Sequence, residues 1–329
     1  MIRSCLKLGT EGSMDPALAG GKGASLGRLV RAGFPVPRGF LVSTDAYSAF
    51  LAVNELQPRI KGVVEGIDFA HPEQVERETV QIRDLFMAGA IPERLAVEIG
   101  DAYKSLVGEP FVAVRSSGTA EDLAGASFAG QYDTYLDIRG APALLDAVRR
   151  CWASMWTGRA VAYRHGLGFD EEPLSIAVVV QAMVEADVSG VMFVGNPINA
   201  RADEIVVNAS WGLGEAVVSG LVNPDEYILD AKTGKPKARR MGDKALTVRR
   251  VDGPEGGTVR VPTEPALRER LTLNDGQLEE LAALGVRATA FYHGLPQDLE
   301  WALCRGRFHL LQSRPITGVN FLREEGPVL

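Results

Sequence analysis

Three cysteines in 329 residues are too few and too scattered to organise a fold. Cys5, Cys151 and Cys304 lie far outside any thiolate metal-site spacing, and an odd count does not make a disulfide framework. They read as small buried hydrophobes in a reduced protein. Long apolar runs are missing too. The most apolar stretch, SIAVVVQAMV, is far shorter than the ~20 residues a membrane span requires. The opening MIRSCLKLGTEG carries no apolar leader core, so a cytoplasmic protein without membrane attachment is expected. Positive charge is short as well. Lys and Arg number 35 against 42 Asp and Glu, a net charge of -7. A nucleic-acid backbone needs a basic surface, so it is not expected as a main partner. The same balance leaves room for one locally basic pocket that takes a small phosphate compound.

Apolar residues make up 46% of the chain, enough for a sizeable core. The length suits two units of ~150 residues or one two-lobed domain. The first half reads as helix-rich. Leu26, Leu29, Val30 and Phe34 follow a helical period, with Gly33 as the stop. GFLVST reads as a strand, and Thr44 is placed to cap a helix from Asp45. Helices are expected over 72–88, from Pro92, and over about 142–163, with strands at FVAV (111–114) and TYLDI (134–138). From about residue 175 the texture turns to strands: SIAVVVQAM, GVMFVG, EIVVNAS, and two hairpins with Gly-containing turns. Helices return at 264–272 and 275–292. DLEWALCRGRFHLLQSRPIT closes as two strands around RGR. Helices first and strands later predict an α+β fold of two lobes, 1–184 and 185–318, with a hinge near Gln181–Asp187 and a tail at 319–329.

Candidate chemistry sits in separated places. In GGKG, Gly20, Gly21 and Gly23 surround Lys22 at the mouth of a helix. Unpaired N–H groups there attract anions, and Lys22 adds a point charge. No Walker pattern is present; the plainer alternative is a solvated lysine after a glycine turn. VRSSGTAEDLAGASFAGQ brings Arg115 out of an apolar strand together with Ser116, Ser117, Thr119 and Ser127, donors suited to a polyanion. Gly130 lies in a small-residue loop that can lay its amides over phosphate, and Thr134 opens the next strand. The alternative there is a capped turn with Arg115 paired to Glu121 or Asp122. Gln181 and Met183 end an apolar strand that could receive a flat, hydrogen-bonding ring. In the closing hairpin Asp298, Glu300 and Ala302 share a face by alternation, as do Leu310, Gln312 and Arg314; His309 is assigned to the other face. A three-residue loop, Arg305–Arg307, sets Glu300 opposite Gln312 and Asp298 opposite Arg314. Carboxylate and amide oxygens side by side suit Mg²⁺ that is also held by phosphates. A two-residue loop would shift the pairing by one and break that arrangement. The alternative is an exposed polar face with an Asp298–Arg314 pair.

Five blocks in one order carry a resemblance: GGKGASLGRL, AVRSSGTAEDLAGASFAGQYDT, VVVQAMV, ASWGLGEAVVSGLVNPDEY and DLEWAL…LLQSRPIT. The chain resembles the N-terminal ATP-binding domain of phosphoenolpyruvate synthase, pyruvate phosphate dikinase and rifampin phosphotransferase, an ATP-grasp type fold with its nucleotide cleft between two lobes. The resemblance implies that Lys22, Arg115 and Arg314 bind ATP phosphates and serve catalysis. Gly130 and Thr134 then belong to the loop over the triphosphate. Gln181 and Met183 lie at adenine, and Glu300 and Gln312 hold Mg²⁺ with Asp298 close by. In that family a histidine on a swivelling domain takes the terminal diphosphate of ATP and releases AMP. In the synthase and antibiotic branches water then frees Pi, and the phosphohistidine phosphorylates a small acceptor. His71, His165, His293 and His309 do not stand in the Thr-Ser-His setting of that domain, and the chain stops eleven residues after Gly318. The expected partner is therefore a separate histidine-bearing domain or subunit, as in phenylphosphate synthase, with phenol-like, pyruvate or antibiotic hydroxyl acceptors. Two alternatives stand beside this one: a non-catalytic ATP-binding regulatory module, and a stand-alone ATP-grasp ligase that releases ADP.

Overall fold

The computed structural model describes residues 4–119, 132–168, 175–251, 253 and 256–322. The chain divides into two compact units. Unit 1 is Met1–Ala32, Arg38–Met183 and Gly253–Gly257; unit 2 is Gly33–Pro37, Val184–Asp252 and Thr258–Leu329. The main crossing falls after residue 183, while two five-residue segments belong to the unit that their flanks do not. Residues 319–322 are not a separate tail. Leu322 donates its N–H to Ala200 O at 2.7 Å and accepts from Ala202 N–H at 3.3 Å.

Unit 1 contains β1 (Cys5–Lys7), α1 (Pro16–Arg31), β2 (Gly39–Val42), α2 (Thr44–Val53), α3 (Leu56–Glu65), α4 (Pro72–Ala88), α5 (Glu93–Lys104), β3 (Val112–Gly118), β4 (Thr134–Ile138), α6 (Ala141–Ser154), α7 (Gly158–Gly166) and β5 (Ile176–Ala182). Its sheet runs β1-β2-β5-β3-β4, antiparallel throughout. Alternation gives the sheet two different faces. Phe40, Val42, Val112, Val114, Ile176, Val178 and Val180 point into a core with Tyr47, Phe50, Ile82, Phe86, Ile99 and Trp152. Each large side chain buried there contributes roughly 2 kcal/mol. The other face carries Leu41, Ala113, Arg115, Ser117, Val179 and Gln181, since Arg115 pairs with Val179, Ala113 with Gln181 and Leu41 with Val179. Helix α1 lies on that face, close enough that a Cβ on Gly23 would stand 3.1 Å from Leu41 Cδ2.

Two local expectations need correction. Ser43, not Thr44, caps α2 by accepting from Ala46 N–H, and Thr44 instead donates to Ala17 O at 2.7 Å. The single helix expected over 142–163 is two. Thr157 breaks it by capping α7 through Ala160 N–H.

Unit 2 contains β6 (Val188–Asn196), β7 (Arg201–Trp211), α8 (Glu215–Val218), β8 (Asp225–Asp230), β9 (Pro236–Arg240), β10 (Leu246–Arg250), β11 (Thr258–Pro262), α9 (Pro265–Arg268), α10 (Asp275–Phe291), β12 (Gln297–Cys304) and β13 (Arg307–Pro315). The order β13-β12-β6-β7-β8-β9 makes a second antiparallel sheet, and β10-β11 form a separate hairpin. One face of the large sheet is apolar, with Met192, Val207, Tyr227, Leu229, Leu299 and Trp301 buried. Helix α10 covers it so tightly that a Cβ on Gly285 would meet Met192 Cε at 2.7 Å. The opposite face carries the polar row Gln312, Glu300, Val191, Asn208 and Glu226, successive partners across the strands.

Candidate functional site

Unit 1 brings four expected residues to one sheet face. Arg115 leaves β3 opposite Thr134 of β4, and Gln181 sits on β5 beside it in the pattern. Lys22 comes from α1, which is not one helix: Gly20 is non-helical, at φ 67° and ψ 175°, so the turn that carries Lys22 starts afresh after it. Lys22 Nζ donates to Ser116 O at 3.2 Å. Two glycines of the GGKGASLGRL block are needed for close packing. A Cβ on Gly20 would lie 2.1 Å from Ser117 O, and one on Gly27 2.4 Å from Ser13 O. Gly130, Ser127, Glu121 and Asp122 lie outside the described residues. The remaining hydroxyls of that stretch bond their own chain rather than face a ligand. Ser116 Oγ donates to Asp133 O at 2.9 Å, Ser117 Oγ to Ala19 O at 2.8 Å and Thr119 Oγ1 to Ser175 O at 3.1 Å. Met183 follows β5 and donates its N–H to Phe111 O at 2.8 Å.

Gln181 is 2% exposed, and its Nε2 has no hydrogen-bond partner among the described residues. A buried amide left unpaired costs about 1–3 kcal/mol, so this donor fits the acceptor nitrogen of a bound ring. A cavity of about 310 Å³, also in unit 1, is lined by Glu76, Arg83, Asp133, Thr157 and Arg159, none of them an expected site residue. Both arginines are already paired, Arg83 with Glu76 at 2.5 Å and Arg159 with Asp133 at 2.6 Å.

Unit 2 sets Glu300 opposite Gln312 and Asp298 opposite Arg314, the pairing expected from the sequence. The route differs from the expected one. Cys304 pairs with Arg307, so the loop is two residues, Arg305 and Gly306, both with positive φ. Alone that loop would put Glu300 opposite Leu311. An irregularity between Glu300 and Trp301 takes Leu311 out of the ladder and restores the pairing. Two face assignments change with the two-residue loop. Leu310 pairs with Trp301 on the apolar face, and His309 pairs with Ala302, on the face of Glu300 and Gln312. Burial first, then the charge of Arg307, holds the His309 imidazole below its ordinary pKa.

Arg314 reaches Asp298 Oδ2 through Nε at 2.8 Å and Nη2 at 2.6 Å. Burial pushes the Asp298 carboxyl above its ordinary pKa, with the Arg314 charge pulling the other way. Such a fork fixes the guanidinium plane, so Asp298 is placed to orient Arg314. Among the described residues no group of three or more His, Cys, Asp or Glu could hold a metal by itself. Glu300 and Gln312 supply hard oxygens side by side, which suits an ion that keeps waters and shares phosphate ligands. Glu185, an exposed acid, is paired with Arg250 at 2.9 Å.

These features define a class: an α+β protein of two units, one presenting cationic side chains and an unpaired amide on a sheet face, the other a cross-strand carboxylate–amide pair and an oriented arginine. Residues 16–325 match the family described as "Pyruvate phosphate dikinase, AMP/ATP-binding domain", and the chain belongs to that family. It is 45% identical over 322 residues to a probable phosphoenolpyruvate synthase of Methanothermobacter thermautotrophicus, covering 96% of this chain and 46% of that one. It is 42% identical to the phosphoenolpyruvate synthase of Pyrococcus furiosus, over 92% of this chain and 42% of the relative. It is also 42% identical to the rifampicin phosphotransferase of Streptomyces sviceus, over 92% and 34%. The chain thus spans under half the length of these relatives. Among solved structures, an ATP-grasp ligase, PsnB, complexed with minimal precursor aligns over 89% of this chain and 51% of that one, at 11% identity. Its TM-score of 0.26 carries no argument. Among the described residues no helix is long and apolar enough to cross a membrane.

Proposed function

We propose that this chain is the ATP-binding component of a dikinase-type phosphotransferase. It presents Mg-ATP so that the terminal diphosphate passes to a histidine on a separate swivelling domain or subunit. The β-phosphorus bond to the AMP oxygen breaks and a bond to the imidazole nitrogen forms, leaving AMP. Water then releases the γ-phosphate as Pi, and the phosphohistidine passes its phosphoryl group to a small acceptor. Lys22, Arg115 and Arg314 would neutralise phosphate charge, and Gln181 would hydrogen-bond adenine near Met183. Glu300 and Gln312 would hold Mg²⁺, which draws charge from the phosphate oxygens. The chain's own residues contribute positioning and charge neutralisation rather than a covalent step.

The observation that carries this reading is the register of β12 and β13. It gives an oxygen pair and an oriented arginine on adjacent strands, in a chain whose family is named for binding AMP and ATP. The acceptor is proposed as pyruvate, a phenol or an antibiotic hydroxyl, from the names of the relatives and the resemblance.

The test combines the purified chain, Mg-ATP and the histidine-bearing domain of a phosphoenolpyruvate synthase, and follows nucleotide products by chromatography. AMP should form only when the histidine domain is added, and Glu300→Ala should suppress it by at least about a hundredfold. ADP as product would replace this reading with a ligase. No nucleotide product under any condition would leave a non-catalytic binding module, and undiminished transfer by Glu300→Ala would refute the metal role.

A further inference from the structure

Helix starts need a side-chain acceptor for the N–H two or three residues into the helix, and the residue at the break normally supplies it. At the restart of α1 that residue is Gly20, which has no side chain. None could be placed there: φ is +67°, and a Cβ would collide with Ser117 O at 2.1 Å and Ser117 Oγ at 2.4 Å. The acceptor arrives instead from β3. Ser117 Oγ takes the N–H of Gly23 at 3.0 Å, the third residue after the break, and donates its own proton to Ala19 O at 2.8 Å. Ser117 is fully buried, so neither bond is exchangeable with water.

One hydroxyl thereby joins both sides of the break in α1 to a strand 94 residues further along the chain. Its neighbours on either side of the join are Lys22, one residue before Gly23, and Arg115, two residues before Ser117 on the same face of β3. Lys22 Nζ is itself drawn to Ser116 O.

We infer that Ser117 is a positioning residue: its hydroxyl caps the Lys22 helix in trans and fixes where the Lys22 ammonium stands relative to the Arg115 guanidinium. The two cations form one phosphate-binding unit only while that join is made. This rests on the phosphate-binding reading above, and the experiment separates the two.

Mg-ATP and adenosine are titrated calorimetrically into the whole chain and into Ser117→Ala, Ser117→Thr, Lys22→Met and the Ser117→Ala/Lys22→Met double variant. Expected is about a tenfold loss of Mg-ATP affinity in Ser117→Ala, the scale of one or two buried hydrogen bonds. Adenosine affinity is unchanged, Ser117→Thr binds Mg-ATP like the parent, and the double variant is no weaker than Lys22→Met. A merely structural serine would weaken adenosine and Mg-ATP alike, and would add its loss in full to that of Lys22→Met; either result overturns the inference. So does parental Mg-ATP affinity in Ser117→Ala. Should the alanine variant fail to fold, Ser117→Thr decides: a folded threonine variant that loses Mg-ATP as Lys22→Met does overturns the inference. If the parent chain binds no Mg-ATP, the reading beneath the inference falls. If Lys22→Met weakens binding while Ser117→Ala does not, the inference alone falls.

Discussion

Lys244 and Asp225 form a salt bridge with both side chains at 0% exposure, and removing one partner should cost unit 2 much of its stability. Asp225 Oδ1 accepts from Lys244 Nζ at 2.6 Å and from Gly242 N–H at 2.9 Å; Oδ2 accepts from Thr272 N–H at 2.7 Å. Lys244 Nζ also donates to Gly242 O at 3.0 Å, and its backbone N–H to Asn223 O at 3.1 Å. The pair thus pins the end of the glycine-rich 212–224 stretch to the segment before β10 and to the approach to α10. Lys244→Met leaves a buried carboxylate with two amide donors but no counter-charge, a defect of about 3–5 kcal/mol. For a unit of roughly 150 residues this lowers Tm by about 10 °C. Differential scanning calorimetry reads it, because the two units can melt as separate transitions. The Asp225→Asn/Lys244→Met double variant removes the stranded charge and keeps one acceptor oxygen for the two N–H groups, so it should recover part of the loss. If Lys244→Met shifts neither transition by more than about 2 °C, the burial argument is wrong. If the double variant is worse than the sum of its singles, the charge imbalance is not the cause.

Gly20→Ala should unfold the start of α1 or weaken Mg-ATP binding, because its Cβ meets backbone at Ser117 and no rotamer can relieve that; an alanine variant with parental binding and melting would refute the close approach. His309→Gln should be relatively more stable in acid. The imidazole is held below its ordinary value, so the unfolded chain protonates first; the stability contributed by His309 is present above that ordinary value and is lost as pH falls through the folded one. Melts between neutral pH and about pH 5 that fall in parallel for parent and variant would contradict this. Deleting Leu311 leaves Glu300 opposite Gln312, so Mg-ATP binding should survive, whereas a second leucine inserted there should abolish it. Calorimetric titration reads both, and equal loss in both would refute the register argument.

Elements with a strong period were legible. The apolar positions Val75, Thr79, Ile82 and Phe86 mark α4, and all four are buried there. The break between α6 and α7 was not legible, because Trp152 and Trp156 stay four residues apart across it and hide Thr157 as a cap. Helix α3 has no signal of its own: it starts after Glu55, a non-glycine residue at φ 51°. The candidate site residues were chosen by residue type, and only part of their placement follows from the sequence. Arg115 and Gln181 follow from strand alternation, which is local. That Ser116, Ser117 and Thr119 bond their own backbone does not follow, since their partners, Asp133, Ala19 and Ser175, are 17 to 98 residues away.

The closing hairpin shows why local rules can disagree and still yield one answer. Arg305 and Gly306, at φ 49° and 75°, make the tight two-residue connection whose twist matches that of paired strands. That turn sets the register from Cys304 and Arg307 inward. The observed pairing beyond it is one residue different, with Gln312 and Arg314 opposite Glu300 and Asp298. A longer loop would allow that pairing but give up the turn. An extra residue in the ladder satisfies both, and it costs least where the added side chain is apolar and half-buried, as Leu311 is. The doublet Leu310–Leu311 is its trace in the sequence: two apolar residues in a row where alternation calls for one. The two-residue turn itself sets His309 opposite Ala302, on the face of Glu300, and the irregularity at Leu311 lets that turn coexist with Gln312 opposite Glu300 and Arg314 opposite Asp298.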